Sequence, residues 1–94
     1  MMEIRQPRWQ LRQACPVCEQ GGLVLVACPQ CSHIAVICAE EGSGFESARM
    51  IEPESAVDPK SVSCAQCGRW PLSAFRDATA DQILGAGLRP AEYE

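Results

Sequence analysis

Apolar and polar positions alternate only over short stretches of this chain, which predicts short strands rather than long helices. From Arg8 to Ala14, Trp9 and Leu11 alternate with polar residues, the period of a half-buried strand. Leu23 to Ala27 is a continuous β-rich run, and His33 to Cys38 is a second one. A turn is expected at Gly21-Gly22 and another from Glu40 to Gly44. Residues 45–60 carry Pro53 and Pro59 among mixed polar residues, so they read as an irregular excursion with one short strand around Arg49 to Ile51. Near the end, Thr79 and Gln82 have the spacing of a capping box, Ile83 and Leu84 supply an apolar side, and Gly85 and Gly87 supply stops. These signals predict a helix of about two turns.

Three Cys-x-x-Cys units punctuate this pattern: Cys15/Cys18, Cys28/Cys31 and Cys64/Cys67. Thiolates at i and i+3 converge on one ion across a tight turn, whose backbone N–H groups support their charge. Proline after the first cysteine fixes φ for the turn, as at Cys15-Pro16 and Cys28-Pro29. Glycine after the second tolerates a left-handed conformation, as at Cys67-Gly68. Two such turns make the closed tetrahedral cage of structural zinc. All six cysteines are therefore candidate metal ligands, with one Zn2+ expected and room for a second.

These residues resemble the zinc-ribbon and rubredoxin-like class, in which β-hairpins carry cysteine knuckles at their tips. The resemblance covers Cys15 to Leu72. It implies a small, metal-stapled, mainly β fold of zinc-ribbon-like hairpins, to which the capping signals add a short C-terminal helix.

Two pairings of the knuckles are open. If residues 8–14, 23–27 and 33–38 form a meander, Cys15 and Cys18 sit at one end, and Cys28 and Cys31 at the other. Cys28, Cys31, Cys64 and Cys67 then form the main site, while the returning strand brings Cys38 to Cys15 and Cys18 as a third ligand of an incomplete second site. In the rival pairing, Cys15 and Cys18 join Cys28 and Cys31 across nine intervening residues, and Cys38, Cys64, Cys67 and His33 hold a second ion. Cys38 also reads as a small buried hydrophobe, and His33 as a surface residue.

Composition narrows the setting. With 94 residues the chain suffices for one small domain, expected over 8–88, with a loose tail at 1–7 and an acidic tail at 89–94. Aromatic residues make up only 5%, so the core is thin and a staple is needed. The start of the chain lacks an apolar run of signal-peptide length, and no segment is long enough to span a bilayer. We therefore expect a cytoplasmic protein, a reducing setting in which seven cysteines point to metal or redox chemistry rather than disulfides.

The net charge of −4 opposes polyanions at long range, so nucleic-acid binding would need a local face such as Arg5, Arg8 and Arg12 with Trp9. Glu40 and Glu41 read as a solvated turn. Trp70 is expected to cover metal-bound sulfur or pack on the sheet, and Tyr93 to be exposed. One histidine, no phosphate loop and no nucleophile with an evident base leave no catalytic set. The expectation is a structural zinc module that binds a protein partner and is not an enzyme. The alternatives are a zinc-ribbon nucleic-acid binder and a rubredoxin-like or Cys-x-x-Cys redox protein. A thioredoxin-type motif is disfavoured because Ile34, Val36 and Ile37 after the second knuckle favour a strand over a helix. Rubredoxin-like iron is disfavoured because the 32 residues between Cys31 and Cys64 hold only Phe45 as an aromatic.

Overall fold

The computed structural model describes residues 9–19 and 22–93. The expected tail at 1–7, Arg5, Arg8 and Gly21 lie outside the described residues. The fold is small and mainly β, built around the antiparallel hairpin of β2 (Leu23–Ala27) and β3 (Ile34–Cys38). β1 (Gln10–Leu11) and β5 (Arg76–Asp77) both pair with β2, one near each of its ends, while β4 (Gly44–Phe45) pairs with β3. All pairings are antiparallel, as the short connections among β1 to β4 favour.

The continuous apolar runs of β2 and β3 have a direct cause: both faces of this hairpin are covered. Leu23, Leu25, Ala27, Ile34, Val36 and Cys38 point into one core with Phe45, Ile83, Leu88 and Tyr93. Val24, Val26 and Ala35 point into the other with Leu72 and Phe75. Dividing a limited stock of apolar side chains between two faces leaves each core thin. Each core also contains one group of cysteines.

The helix α1 (Ala80–Gly85) forms where its capping signals stand. The Thr79 side chain accepts the Gln82 N–H at 3.2 Å, and the Gln82 side chain accepts the Thr79 N–H at 3.0 Å. Gly87 ends the helix at φ +88, with its N–H donated to Leu84 O and the Leu88 N–H donated to Ile83 O. Ile83 and Leu88 are both buried, the apolar contact that accompanies this type of helix stop.

Two local expectations are corrected. Residues 49–51 do not form a strand; the Met50 N–H donates to Ser47 O in a turn, and the strand lies earlier, at Gly44–Phe45, where fully buried Phe45 anchors it. Tyr93 is not exposed. It is 6% exposed, bridges to Leu11, and meets Trp9 edge-to-face with ring centroids 5.4 Å apart. The acidic composition around it concealed an aromatic that the other end of the chain covers. Among the described residues no helix is long and apolar enough to cross a membrane.

Candidate metal centres

Each Cys-x-x-Cys unit closes the same backbone turn. The N–H four residues after the first cysteine donates back to that cysteine's carbonyl: Glu19 to Cys15, Ser32 to Cys28 and Gly68 to Cys64, at 2.8, 3.0 and 2.9 Å. The donating residue is left-handed every time, at φ 60, 64 and 69. Only Cys67-Gly68 places a glycine there, so two of the three turns hold a side chain in a conformation that is ordinarily disfavoured. The first cysteine of each unit is buried and the second is half-buried. The thiols of one unit thus face the same side of the turn, one deeper than the other.

The turns assemble into two groups. The Sγ atoms of Cys28, Cys31, Cys64 and Cys67 all lie within 4.8 Å of one another. Across the two turns, Cys28 is 3.6 Å from Cys67 and Cys31 is 3.5 Å from Cys64. A tetrahedral ion with metal–sulfur bonds of about 2.3 Å needs sulfur–sulfur edges of about 3.8 Å, and these two contacts lie within a few tenths of an ångström of that length. The Sγ atoms of Cys15, Cys18 and Cys38 form a second group within the same limit, with Cys18 and Cys38 at 3.6 Å. All seven cysteines are free thiols.

The sheet register explains this sorting. Cys28 follows the last residue of β2, where Ala27 pairs with Ile34, while Cys38 ends β3 opposite Leu23. The two groups therefore sit at opposite ends of the hairpin, about 13 Å of strand apart, and on opposite faces. In chain order the turns alternate between groups. The meander pairing of the knuckles is the one adopted, and the rival pairing of Cys15 and Cys18 with Cys28 and Cys31 is not.

His33 stays outside both groups. Its Nε2 donates to the Glu46 carbonyl at 2.8 Å, and because a carbonyl oxygen only accepts, that nitrogen carries the proton. Trp70 is 42% exposed, and its indole N–H donates to the side chain of Gln30 at 3.2 Å. Its carbonyl accepts the Cys64 N–H at 2.7 Å, so Trp70 ties the third Cys-x-x-Cys turn to the second.

Without an ion, four thiols this close cannot all ionise. Burial pushes the Cys64 thiol up, but the backbone N–H groups of Cys67 and Gln66 and the thiols of Cys31 and Cys67 outweigh it and bring it down to about 6. Burial pushes Cys31 up to about 12, reinforced by neighbouring Cys64, Cys28 and Cys67. In the other group, burial raises the Cys15 thiol as well.

Sequence reasoning left Cys38 undecided and set Glu41 aside. Cys38 joins Cys15 and Cys18, and Glu41 Oε1 lies 3.9 Å from Cys15 Sγ. The sequence holds one signal for this, the spacing Cys38-x-x-Glu41-Gly42, which matches Cys64-x-x-Cys67-Gly68 with a carboxylate in place of the second thiol. The arrangement is compatible with a zinc-binding fold. No family model matches the chain, and neither a curated protein nor a solved structure is detectably similar to it.

Proposed function

We propose that this chain is a structural zinc module of the reducing cytoplasm, whose stapled sheet presents a surface to a protein partner. One observation carries the zinc reading: four thiols from two turns converge with tetrahedral spacing on one face of the sheet. Four thiolates select zinc or iron over harder ions. The scarcity of aromatic side chains around the cluster favours zinc over a rubredoxin-like iron centre; the core beside it holds Phe75 alone. A closed four-sulfur site leaves the ion no open position at which to activate water, which supports a scaffold rather than an enzyme.

The partner reading rests on charge and exposure. A net charge of −4 disfavours polyanions. Trp70 and Leu84 are large apolar residues left 42% and 51% exposed. The elements carrying them are tied to the same turn, Trp70 through Gln30 and α1 through the Gln82–Ser32 hydrogen bond. Native mass spectrometry of protein purified without added metal tests the first half, with zinc expected and iron or no metal overturning it. Affinity purification from the native host, with Trp70→Ala as control, tests the second. A protein lost from the Trp70→Ala sample supports it, whereas salt-sensitive retention of RNA or DNA alone would turn the reading toward nucleic acid.

A further inference from the structure

We propose that Cys15, Cys18, Cys38 and Glu41 form a second, separate zinc site, in which Glu41 takes the place that a fourth cysteine would fill. The inference starts from the backbone. The turn after β3 repeats the Cys28 turn bond for bond. The Gly42 N–H donates to Cys38 O at 3.0 Å, as Ser32 does to Cys28 and Gly68 to Cys64. Gly42 has φ +86, the left-handed conformation found at Glu19, Ser32 and Gly68. The Cys38 N–H donates to Ser43 O at 2.8 Å, and the Cys28 N–H donates to His33 O at 2.9 Å, five residues on in both cases. Residue 41 therefore occupies the position that Cys31 and Cys67 occupy in their own turns.

The contacts between turns repeat too. In the four-sulfur cluster the first residue of each turn meets the second of the other: Cys28 with Cys67, and Cys31 with Cys64. In the other group Cys18 meets Cys38 at 3.6 Å and Cys15 meets Glu41 at 3.9 Å, the same crossed pattern. The burial order also matches, with Cys38 buried and the second residue of its turn nearer solvent. Zinc accepts a carboxylate oxygen beside thiolates, and three thiolates with one carboxylate carry the same charge as four thiolates. The proposal does not depend on the four-sulfur site, which uses none of these residues.

The test counts zinc per chain by native mass spectrometry on the full-length protein and measures both affinities by chelator competition. The parent should hold two ions. Glu41→Ala changes an exposed turn residue, so it should keep its amide spectrum and its first ion while the second weakens by more than about tenfold. Loss of partners that only support a zinc ligand already costs about 10–100-fold. Glu41→Cys should restore two tightly held ions, and zinc-edge absorption should then report only sulfur neighbours. A parent with a single ion that both Glu41→Ala and Cys38→Ser retain at full affinity would overturn the second site and leave the four-sulfur reading intact. Glu41→Ala binding two ions as tightly as the parent would overturn the role of Glu41. A parent with no ion at all would overturn both readings.

Discussion

The sulfurs of Cys31 and Cys64 lie 3.5 Å apart although 33 positions separate them in the chain, and nothing covalent joins the turns that carry them. A cation bound between them would replace this thiol contact with metal–sulfur bonds. Zinc binding to small cysteine domains contributes roughly 10–16 kcal/mol, against a net stability of about 5–15 kcal/mol for a domain of this size. A strong chelator should therefore remove most of the β structure. Far-UV circular dichroism and amide dispersion that survive metal removal would show that the two thin cores suffice alone.

Substitutions should separate the two groups of cysteines. Cys64→Ser should lose the four-sulfur ion and yield disordered or insoluble protein, since Cys64 is buried at the base of that cluster. Cys38→Ser should release the other ion and keep the first. Zinc stoichiometry by mass spectrometry reads both, and equal losses from the two variants would mean that the groups are not independent.

Metal affinity should climb with pH. The Cys31 thiol, pushed up to about 12, must surrender its proton to the ion, which by itself gives about a tenfold gain per pH unit through the neutral range, and the other ligating thiols can only steepen it. Cys64, at about 6, adds its own proton only in more acidic solution, so the dependence should steepen below that point. Any fold that survives metal removal responds to pH through the same two thiols, in opposite directions. The lowered Cys64 contributes stability that is lost as pH falls through about 6, whereas the raised Cys31 contributes stability that is lost as pH rises from the ordinary 9.0 toward about 12. Chelator competition from pH 5 to 8, about the range in which zinc stays soluble, checks the slope; a flat profile would contradict it.

At the far end of the chain, Tyr93→Ala should destabilise the fold by about 3 kcal/mol through loss of a buried ring. Thr79→Ala should cost about 1 kcal/mol through the lost helix cap. Gly87→Ala should cost about 1–2 kcal/mol, because φ +88 is strained for any residue with a Cβ and the added atom would meet Arg49. Urea unfolding of zinc-loaded protein ranks the three, and a Tyr93→Ala midpoint equal to the parent's would mean that this ring is dispensable.

What the sequence revealed was local. Leu23–Ala27 and Ile34–Cys38 were legible because a run of apolar β-formers between turns has few other uses, and the helix because Thr79 and Gln82 cap it reciprocally. The three Cys-x-x-Cys turns were legible because each is complete within a few residues. Glu41 was not, since a glutamate in a turn ordinarily faces water, and only the repeated bond from Gly42 to Cys38 marks this turn as one of the set. Tyr93 was hidden for the opposite reason: its burial depends on Trp9 and Leu11, more than eighty residues away. The strand at Phe45 was displaced to residues 49–51 because the alternation there is too brief to set a position.

The alternation of turns between the two groups also bears on what happens when the chain is cut. The stretch from residue 46 to 60 lies inside the span closed by the four-sulfur group and outside the span closed by Cys15, Cys18 and Cys38. With zinc in place, a protease nick there would leave two fragments joined through metal–sulfur bonds instead of peptide bonds. The nicked protein should migrate as one particle in a native gel and separate only when the ion is withdrawn. A break between residues 31 and 38 falls inside both spans at once, so its two fragments would share both groups of ligands. The stretch between Cys31 and Cys38 is thus the one that both centres would hold across a cut, and His33, bonded there to the Glu46 carbonyl, marks where the protein has most tolerance for a cleavage.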